Sequence, residues 1–257
     1  MPAAADKPVV PDTTLGPAPQ ATPASLRSFH LPGPAGRLEA LLNEGRSDAP
    51  YATLICHPHP LGGGTMHNKV VYHAMKVFHE QGWPVLRFNF RGTGLSEGAH
   101  NGRAEVDDVR AALDWLHREF GKPIVAAGFS FGAAMGLKAC CTTTSREYGI
   151  QGFAALGLPT HAEGRDYTYP YLKACNFPKL FLSGDRDRYA PASQLHSVVD
   201  SAPEPKQLTL IPGADHFFVG QLPAMQASLT QWLRRTFPSA PNTHERPEPL
   251  LPERSAR

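Results

Sequence analysis

Short apolar runs alternate with longer amphipathic stretches through the central part of this chain. Six runs are mostly apolar and end near Gly, Pro or Asn, which is typical of buried strands: 52–56, 84–88, 124–129, 152–158, 179–182 and 207–211. Two earlier segments around a Pro-Gly-Pro, 27–31 and 37–43, predict an antiparallel pair. Because strands that alternate with helices form sheets covered on both faces, we expect an α/β three-layer sandwich with a mostly parallel eight-stranded sheet.

The stretches between these runs indicate helices. Apolar residues recur on one face within 71–78 and within 106–116, which is the spacing of an amphipathic helix. A helix that begins at Phe131 is rich in small residues, so it can lie close against a sheet, and a last helix is predicted over 221–236.

The two ends of the chain differ in composition from its centre. Residues 1–25 and 238–257 are rich in Pro and poor in large apolar side chains, so we predict disordered tails around one domain, 26–237.

The formal net charge is only +2 and the histidines are scattered, which argues against nucleic acid or a membrane surface as a partner. No apolar run approaches the ~20 residues of a membrane span, and 1–25 lacks the apolar centre of a secretion signal. We therefore expect a cytoplasmic protein.

The cysteines show no framework spacing in this sequence. Cys140 and Cys141 are adjacent within a predicted helix, and Cys56 and Cys175 stand alone. We expect all four to be reduced and mostly buried thiols.

Ser130 is the candidate nucleophile. It is the centre of a Gly-x-Ser-x-Gly motif, 128–132, which follows an apolar strand and precedes a helix. A serine on such a tight turn is strained and exposed at the end of the strand, and the glycines avoid a steric clash around it. The N-terminus of the helix offers its dipole and the backbone N–H of Phe131 to a developing oxyanion. The motif alone is common by chance, and its strand-to-helix setting makes it informative.

A serine hydroxyl needs a base and a group that orients the base, and two later loops supply them. Each loop follows a predicted strand. Asp187 is in the first loop and is the preferred acid, although Asp185 is a competing carboxylate two residues away. His216 is in the second loop and is the candidate base, and Asp215 beside it is expected to shape the turn.

Two further blocks carry a family resemblance. Residues 55–69 read ICHPHPLGGGTMHNK and residues 86–98 read LRFNFRGTGLSEG. Together with the serine motif they resemble the bacterial α/β-hydrolases related to dienelactone hydrolase, a group of serine esterases, over 26–237. The resemblance implies the α/β-hydrolase fold, and the chain order Ser130, Asp187, His216 agrees with that fold. Dienelactone hydrolases proper use a cysteine nucleophile, so dienelactone itself is not implied as a substrate.

The resemblance also implies a second oxyanion donor after the third strand. In hydrolases of this fold that loop usually reads His-Gly-x-Pro, and its third residue donates a backbone N–H. Here the loop reads His57-Pro58-His59-Pro60. By position the donor is the backbone of His59, with Leu61 as the alternative.

Three other groups of residues allow a different interpretation. A zinc site is conceivable because imidazoles are clustered at His57, His59, His67 and His73, but no carboxylate or cysteine completes the set, and a serine mechanism needs no metal or cofactor. Carboxylates at Glu105, Asp107 and Asp108 open an amphipathic helix, where acids are favoured by the dipole. Tyrosines at Tyr167, Tyr169 and Tyr171 lie in an insertion, 159–176, and either line an acyl pocket or cover the core.

The expected function follows from these residues. We expect a serine hydrolase, resembling carboxylesterases and thioesterases, that cleaves a small-molecule carboxylic ester or thioester through an acyl-enzyme. The insertion 159–176 is too short for a large cap domain, so we expect an open site. Two alternatives stay open: an acyltransferase with the same triad, and a non-catalytic binding module on the same fold.

Overall fold

A computed structural model describes residues 25–142, 148–162 and 164–238 of the chain. The predicted disordered tails, 1–25 and 238–257, lie outside the described residues except for Ser25 and Pro238. The part between them contains one large sheet with helices on both faces and a small two-stranded hairpin.

Eight strands form the large sheet. Their bounds are β1 Leu26–Gly33, β2 Gly36–Asn43, β3 Ala52–Cys56, β4 Val85–Phe88, β5 Ile124–Phe129, β6 Ile150–Leu156, β9 Lys179–Gly184 and β10 Lys206–Ile211, and the small hairpin consists of β7 His161–Ala162 and β8 Arg165–Asp166. The order across the sheet is β1-β2-β4-β3-β5-β6-β9-β10. Only β2 runs against its neighbours, β1 and β4, and all other pairs are parallel.

The α-helices cover both faces of this sheet. Their bounds are α1 Lys69–Glu80, α2 Glu105–Phe120, α3 Phe131–Cys140, α4 Ala192–Asp200 and α5 Leu222–Thr236. α1 and α5 bury their apolar residues in one cluster, and α2, α3 and α4 bury theirs in a second cluster on the opposite face. No helix among the described residues has the length and apolar character needed to cross a bilayer.

Burial on both faces explains the composition of the central strands. Every residue of β3, β4 and β5 is buried. Because helices exclude water from both sides of a parallel sheet, such strands are apolar without alternation. These are the continuous runs from which the strands were predicted, and the predicted fold is confirmed.

Two details differ from the sequence-based expectations. β6 ends at Leu156 rather than Leu158, because Gly157 adopts a left-handed φ of 53° and turns the chain out of the sheet. α4 was not predicted. It is only nine residues long and buries Leu195 and Val199, so its periodicity is too brief to distinguish from a loop.

The insertion 159–176 contains the hairpin and a short 3-10 helix, Pro170–Ala174. It has no α-helix among its described residues, in agreement with the expected absence of a large cap domain. The hydroxyl of Tyr171 donates a hydrogen bond of 3.1 Å to the carbonyl of Ala134 in α3. The insertion therefore lies against α3 rather than over the whole sheet edge.

A disulfide joins the insertion to α3. Cys141, directly after α3, is bonded to Cys175, and their Cα atoms are 4.8 Å apart. The prediction of reduced thiols is therefore wrong for these two residues. The pairing results from the return of the insertion onto α3, which sequence spacing does not reveal. Cys56 and Cys140 are buried free thiols, as expected.

Candidate active site

Ser130 lies between β5 and α3 on a strained turn. Its φ of 54° and ψ of −120° fall in a region that costs a residue with a side chain about 1–3 kcal/mol. The flanking glycines are required by close backbone contacts. A Cβ on Gly128 would lie 2.4 Å from the carbonyl oxygen of Gly132, and one on Gly132 would lie 2.4 Å from that of Cys56. The turn therefore forces the serine side chain out of the sheet edge.

His216 lies in the loop after β10, and two carboxylates hold this loop. Asp185 accepts a hydrogen bond of 2.7 Å from the backbone N–H of Gly213. Asp215 accepts bonds of 3.0 Å from the backbones of Phe217 and Val219, so it shapes the turn as expected. The imidazole of His216 is 5% exposed and faces the end of β5.

The three predicted catalytic side chains lie in one line of hydrogen bonds. The Nε2 atom of His216 is 2.9 Å from the Oγ atom of Ser130, and its Nδ1 atom is 2.8 Å from the Oδ2 atom of Asp187. In this arrangement Nδ1 carries the ring proton and donates to the carboxylate, and Nε2 accepts from the serine hydroxyl. The ring is thereby in the tautomer that a general base requires.

Asp187 is buried, and its carboxylate accepts several hydrogen bonds. Its Oδ2 accepts from the hydroxyl of Ser183 at 2.8 Å, and its Oδ1 accepts from the backbones of Tyr189 and Ala190 at 2.8 and 3.1 Å. Burial opposes ionisation of this carboxyl. The hydrogen bonds and the charge interaction with His216 outweigh burial and lower the pKa of Asp187 below its usual value. Asp187 is therefore the carboxylate that hydrogen-bonds to His216, whereas Asp185 holds the neighbouring turn.

Sequence reasoning missed two supporting residues. Ser183 is the fifth residue of β9 and donates to Asp187, and the ring of Tyr189 lies 4.6 Å from that of His216 between centroids. A hydroxyl four residues before the candidate acid, at the end of a buried strand, is the only signal for Ser183 in the sequence. Nothing in the sequence identifies Tyr189.

The two residues predicted as oxyanion donors border the same cavity as Ser130. Phe131 is the first residue of α3, where the backbone N–H has no partner within the helix. Phe131 and His59 both line the cavity, and their rings are 4.8 Å apart. The N–H of Leu61 instead points to Nδ1 of His59 at 3.3 Å. This contact favours His59 over Leu61 as the second donor, which remains a prediction.

His57 holds the loop that carries His59. Its Nδ1 donates to the carbonyl of Pro58 at 2.7 Å, and its Nε2 accepts from the backbone N–H of Phe90 at 2.9 Å. Burial lowers the pKa of His57 to about 3, so the ring is neutral. Both nitrogens are occupied by the backbone, which leaves none for a metal. The described residues contain no group of three or more His, Cys, Asp or Glu side chains arranged to hold a metal ion.

The cavity in front of Ser130 has a volume of about 130 Å³. Its walls come from the loop after β3, the insertion and the loops that follow β9 and β10: Pro58, His59, Gly62, Gly64, Asn68, Ala162, Tyr167, Tyr189, His216 and Phe217. Tyr167 lines this cavity, whereas Tyr169 is buried and donates through its hydroxyl to the carbonyl of Pro159. Tyr167 therefore borders the cavity, and Tyr169 is part of the core.

The acidic residues that open α2 are structural. Asp108 is fully buried and binds the guanidinium of Arg91, with a shortest contact of 2.6 Å. Glu105 is also fully buried and accepts a bond of 2.9 Å from the backbone of Asn101. Neither lines the cavity in front of Ser130. They fix the loop between β4 and α2.

Known proteins share this architecture. A family model for the alpha/beta hydrolase domain matches residues 52–235. An uncharacterized protein of Rickettsia prowazekii is 37% identical over 198 residues, which cover 74% of this chain and 81% of the relative. A serine hydrolase without lid from Xanthomonas campestris superposes with a TM-score of 0.72 at 29% identity, covering 86% of this chain and 99% of that one. A dienelactone hydrolase from Anabaena variabilis shares the fold, with a TM-score of 0.67, 17% identity and coverage of 83% and 98%.

The family model spans the strands from β3 onward, the turn at Ser130 and the two loops that carry Asp187 and His216. The lidless Xanthomonas structure matches the absence of a large cap domain among the described residues. The chain therefore belongs to the α/β-hydrolase family.

Proposed function

We propose that this protein is a serine hydrolase that cleaves a small carboxylic ester or thioester through an acyl-enzyme. The proposal is carried by one observation: His216 lies 2.9 Å from the Ser130 hydroxyl through one nitrogen and 2.8 Å from Asp187 through the other. Such a line of three groups, ending on a strained and accessible serine, is the arrangement that activates a hydroxyl for acyl transfer.

In the first step, Oγ of Ser130 attacks the carbonyl carbon while its proton passes to Nε2 of His216. The carbonyl oxygen becomes an oxyanion, which the backbone N–H groups of Phe131 and His59 stabilise, each by about 3 kcal/mol. The C–O or C–S bond then breaks. The leaving alcohol or thiol takes the proton from His216, and the acyl group stays on Ser130.

In the second step, water gives a proton to Nε2 of His216 and attacks the acyl-enzyme. The new oxyanion occupies the same two amides. Its collapse breaks the bond to Oγ, returns the proton to Ser130 and releases the carboxylic acid. Asp187 stays ionised throughout and stabilises the imidazolium that forms in each step.

The cavity limits the group that can be bound beside Ser130. A volume of about 130 Å³ fits a short acyl chain. Phe131 and Phe217 provide apolar walls, and His216 and Asn68 provide polar ones. We therefore propose a small-molecule substrate with a short group next to the scissile carbonyl.

Replacement of Ser130 by Ala tests this function. We expect turnover of a short-chain aryl ester to fall by about 10⁶-fold with the protein still folded. A fluorophosphonate probe should label the wild-type protein at Ser130 and leave the variant unlabelled. Failure of the probe to react at Ser130 would identify a binding module, and full activity of Ser130→Ala would overturn the mechanism. Product analysis with an added alcohol distinguishes hydrolysis from acyl transfer.

A further inference from the structure

A second cavity, of about 250 Å³, adjoins the one in front of Ser130. The two share Tyr167, which lines both. The second cavity lies between α3 and the insertion: Ala134, Met135 and Lys138 come from the helix, and the segment 165–171 forms the opposite wall. It is larger than the first cavity, and the proposed mechanism makes no use of it.

Residues of α3 border both cavities. Ser130, Ala134 and Lys138 are spaced by four residues, so they follow one another along one side of the helix. Ser130 borders the first cavity, and Ala134 and Lys138 border the second. A rise of 1.5 Å per residue places the backbone of Lys138 about 12 Å beyond that of Ser130. The two cavities therefore lie one after the other along the same side of α3.

Cationic side chains border the second cavity. Lys138 is exposed and makes no hydrogen bond or ion pair with any described residue. Arg165 is held in place, because its guanidinium donates to the carbonyl of Gly102 at 2.9 Å and lies 5.2 Å from the centre of the Tyr167 ring. An arginine fixed in this way retains further N–H groups for a ligand.

One carboxylate, Asp166, also borders this cavity. Its Oδ1 is 2.8 Å from Nδ1 of His161, which lies across the β7–β8 hairpin. The hydroxyls of Tyr169 and Tyr171 donate to backbone carbonyls. Two cations, Lys138 and Arg165, and one carboxylate, Asp166, therefore border the cavity, and neither cation forms an ion pair with a described carboxylate.

We infer that the substrate carries an anionic group, such as a carboxylate, which Lys138 and Arg165 bind in the second cavity while the scissile carbonyl lies at Ser130. This inference rests on the proposed function and adds a substrate class to it. The short apolar group next to the carbonyl occupies the first cavity, and a linker passes Tyr167 and Ala134 to reach the cations. Arg and Lys are the side chains that recognise carboxylates in this way.

Matched ester pairs test the inference. The first pair is an aryl monoester of adipic acid and its analogue in which the free carboxylate is a carboxamide. The second pair carries the carboxylate or carboxamide on the alcohol side of an acetate ester. We expect kcat/KM to favour the carboxylate in one of the pairs by about fivefold, the size expected for exposed charge pairs. The preference should disappear at about 1 M salt, where the Debye length is about 3 Å.

Three charge variants localise the effect. Lys138→Gln and Arg165→Gln should each lower the preference and leave turnover of the carboxamide ester within twofold of wild type. Arg165→Lys should retain most of the preference, because it keeps the charge. Lys76→Gln is the matched control, since it removes one charge from the exposed side of α1 on the opposite face of the sheet and should change nothing.

The outcomes separate this inference from the proposed function. Turnover of both carboxamide esters, abolished by Ser130→Ala, supports the hydrolase whatever the charge preference. If neither pair shows a preference, or if Lys76→Gln lowers it as much as Lys138→Gln, the anionic substrate is ruled out and the hydrolase stands. If no ester is turned over at all, the proposed function itself fails.

Discussion

The strain at Ser130, in the turn between β5 and α3, lies in its backbone dihedral angles. With φ of 54° and ψ of −120°, the Cβ atom is what makes this conformation unfavourable. The backbone N–H of Ser130 donates a hydrogen bond of 2.9 Å to the carbonyl of Leu156. This bond and the start of α3 hold Ser130 in the strained conformation. Packing elsewhere in the fold therefore offsets the free-energy cost of this conformation, and the conformation exposes the hydroxyl to the cavity.

Replacement of Ser130 by Gly should relieve this strain. Both Ser130→Gly and Ser130→Ala remove the hydroxyl and the activity, but only glycine adopts the turn without a Cβ penalty. We expect the Gly variant to exceed the Ala variant in free energy of unfolding by about 1 kcal/mol, after the greater chain entropy of glycine is taken into account. Urea unfolding of both variants measures this difference. Equal stability would mean that the turn is not strained.

Asp187 and Asp185 provide a test of how the base is oriented. Asp187→Asn cannot stabilise the imidazolium and favours the wrong tautomer of His216, so kcat should fall by about 10⁴-fold. Asp185→Asn is the control, because an amide oxygen can still accept from Gly213. We expect it to lower kcat by less than tenfold. Comparable losses in the two variants would contradict the assignment of Asp187. Both are measured by steady-state kinetics on a short aryl ester.

The sequence predicts some of these residues better than others. Ser130 and His216 follow from a motif or a loop directly after a strand, so chain order alone places them at one edge of the sheet. Asp185 and Asp187 occupy the same loop, and the choice between them depends on which side chain turns toward His216. That direction is set by the donors Ser183 and Tyr189, which contact Asp187 only in the folded loop.

The secondary structure elements also differ in how well the sequence predicts them. The buried strands were predictable because both faces are covered, which leaves a continuous apolar run for each of β3, β4 and β5. The short pieces, α4 and the β7–β8 hairpin, were missed because two to nine residues hold too little periodicity. Their positions depend on contacts with the rest of the domain. The disulfide is a contact of this kind.

The bond between Cys141 and Cys175 should stabilise the insertion as an element. It closes a loop of 34 residues, and such a crosslink stabilises a fold by about 2–4 kcal/mol, mainly by restricting the unfolded chain. We expect Cys175→Ser to lower the free energy of unfolding by that amount relative to the oxidised wild type. Reduction of the wild type should produce the same loss. Cys140→Ser, at a buried free thiol next to the bond, is a control that keeps the disulfide, so reductant should lower its stability as it does in wild type, whereas Cys175→Ser should not respond to reductant.

At the scale of the whole molecule, loops from distant parts of the chain lie together at one end of the sheet. The loops after β3, β4, β5, β9 and β10 all reach it, because parallel strands end at the same edge. His57 joins two of these loops through its contacts with Pro58 and Phe90. Its ring is fully buried, so its protonation state is tied to the global stability of the fold.

The stability of the whole protein should therefore fall on mild acidification. Folded His57 stays neutral down to its pKa of about 3, whereas the unfolded residue takes up a proton near pH 6.5. The unfolded state then binds more protons, and between pH 7 and pH 5 this residue lowers the free energy of unfolding by about 2 kcal/mol. The lowered pKa of Asp187 also makes the fold less stable in acid, but at lower pH, since its contribution is lost only below the usual pKa of an aspartate.

His57→Gln tests this origin of the pH dependence. A glutamine amide can donate to Pro58 and accept from Phe90, so the fold is kept at some cost, and the side chain does not titrate. We expect the variant to be less stable than wild type at pH 7 and to lose about 2 kcal/mol less between pH 7 and pH 5. Urea unfolding at both pH values gives the four free energies required. Because every other titrating group is common to the two proteins, an unchanged pH dependence would show that a different group is responsible.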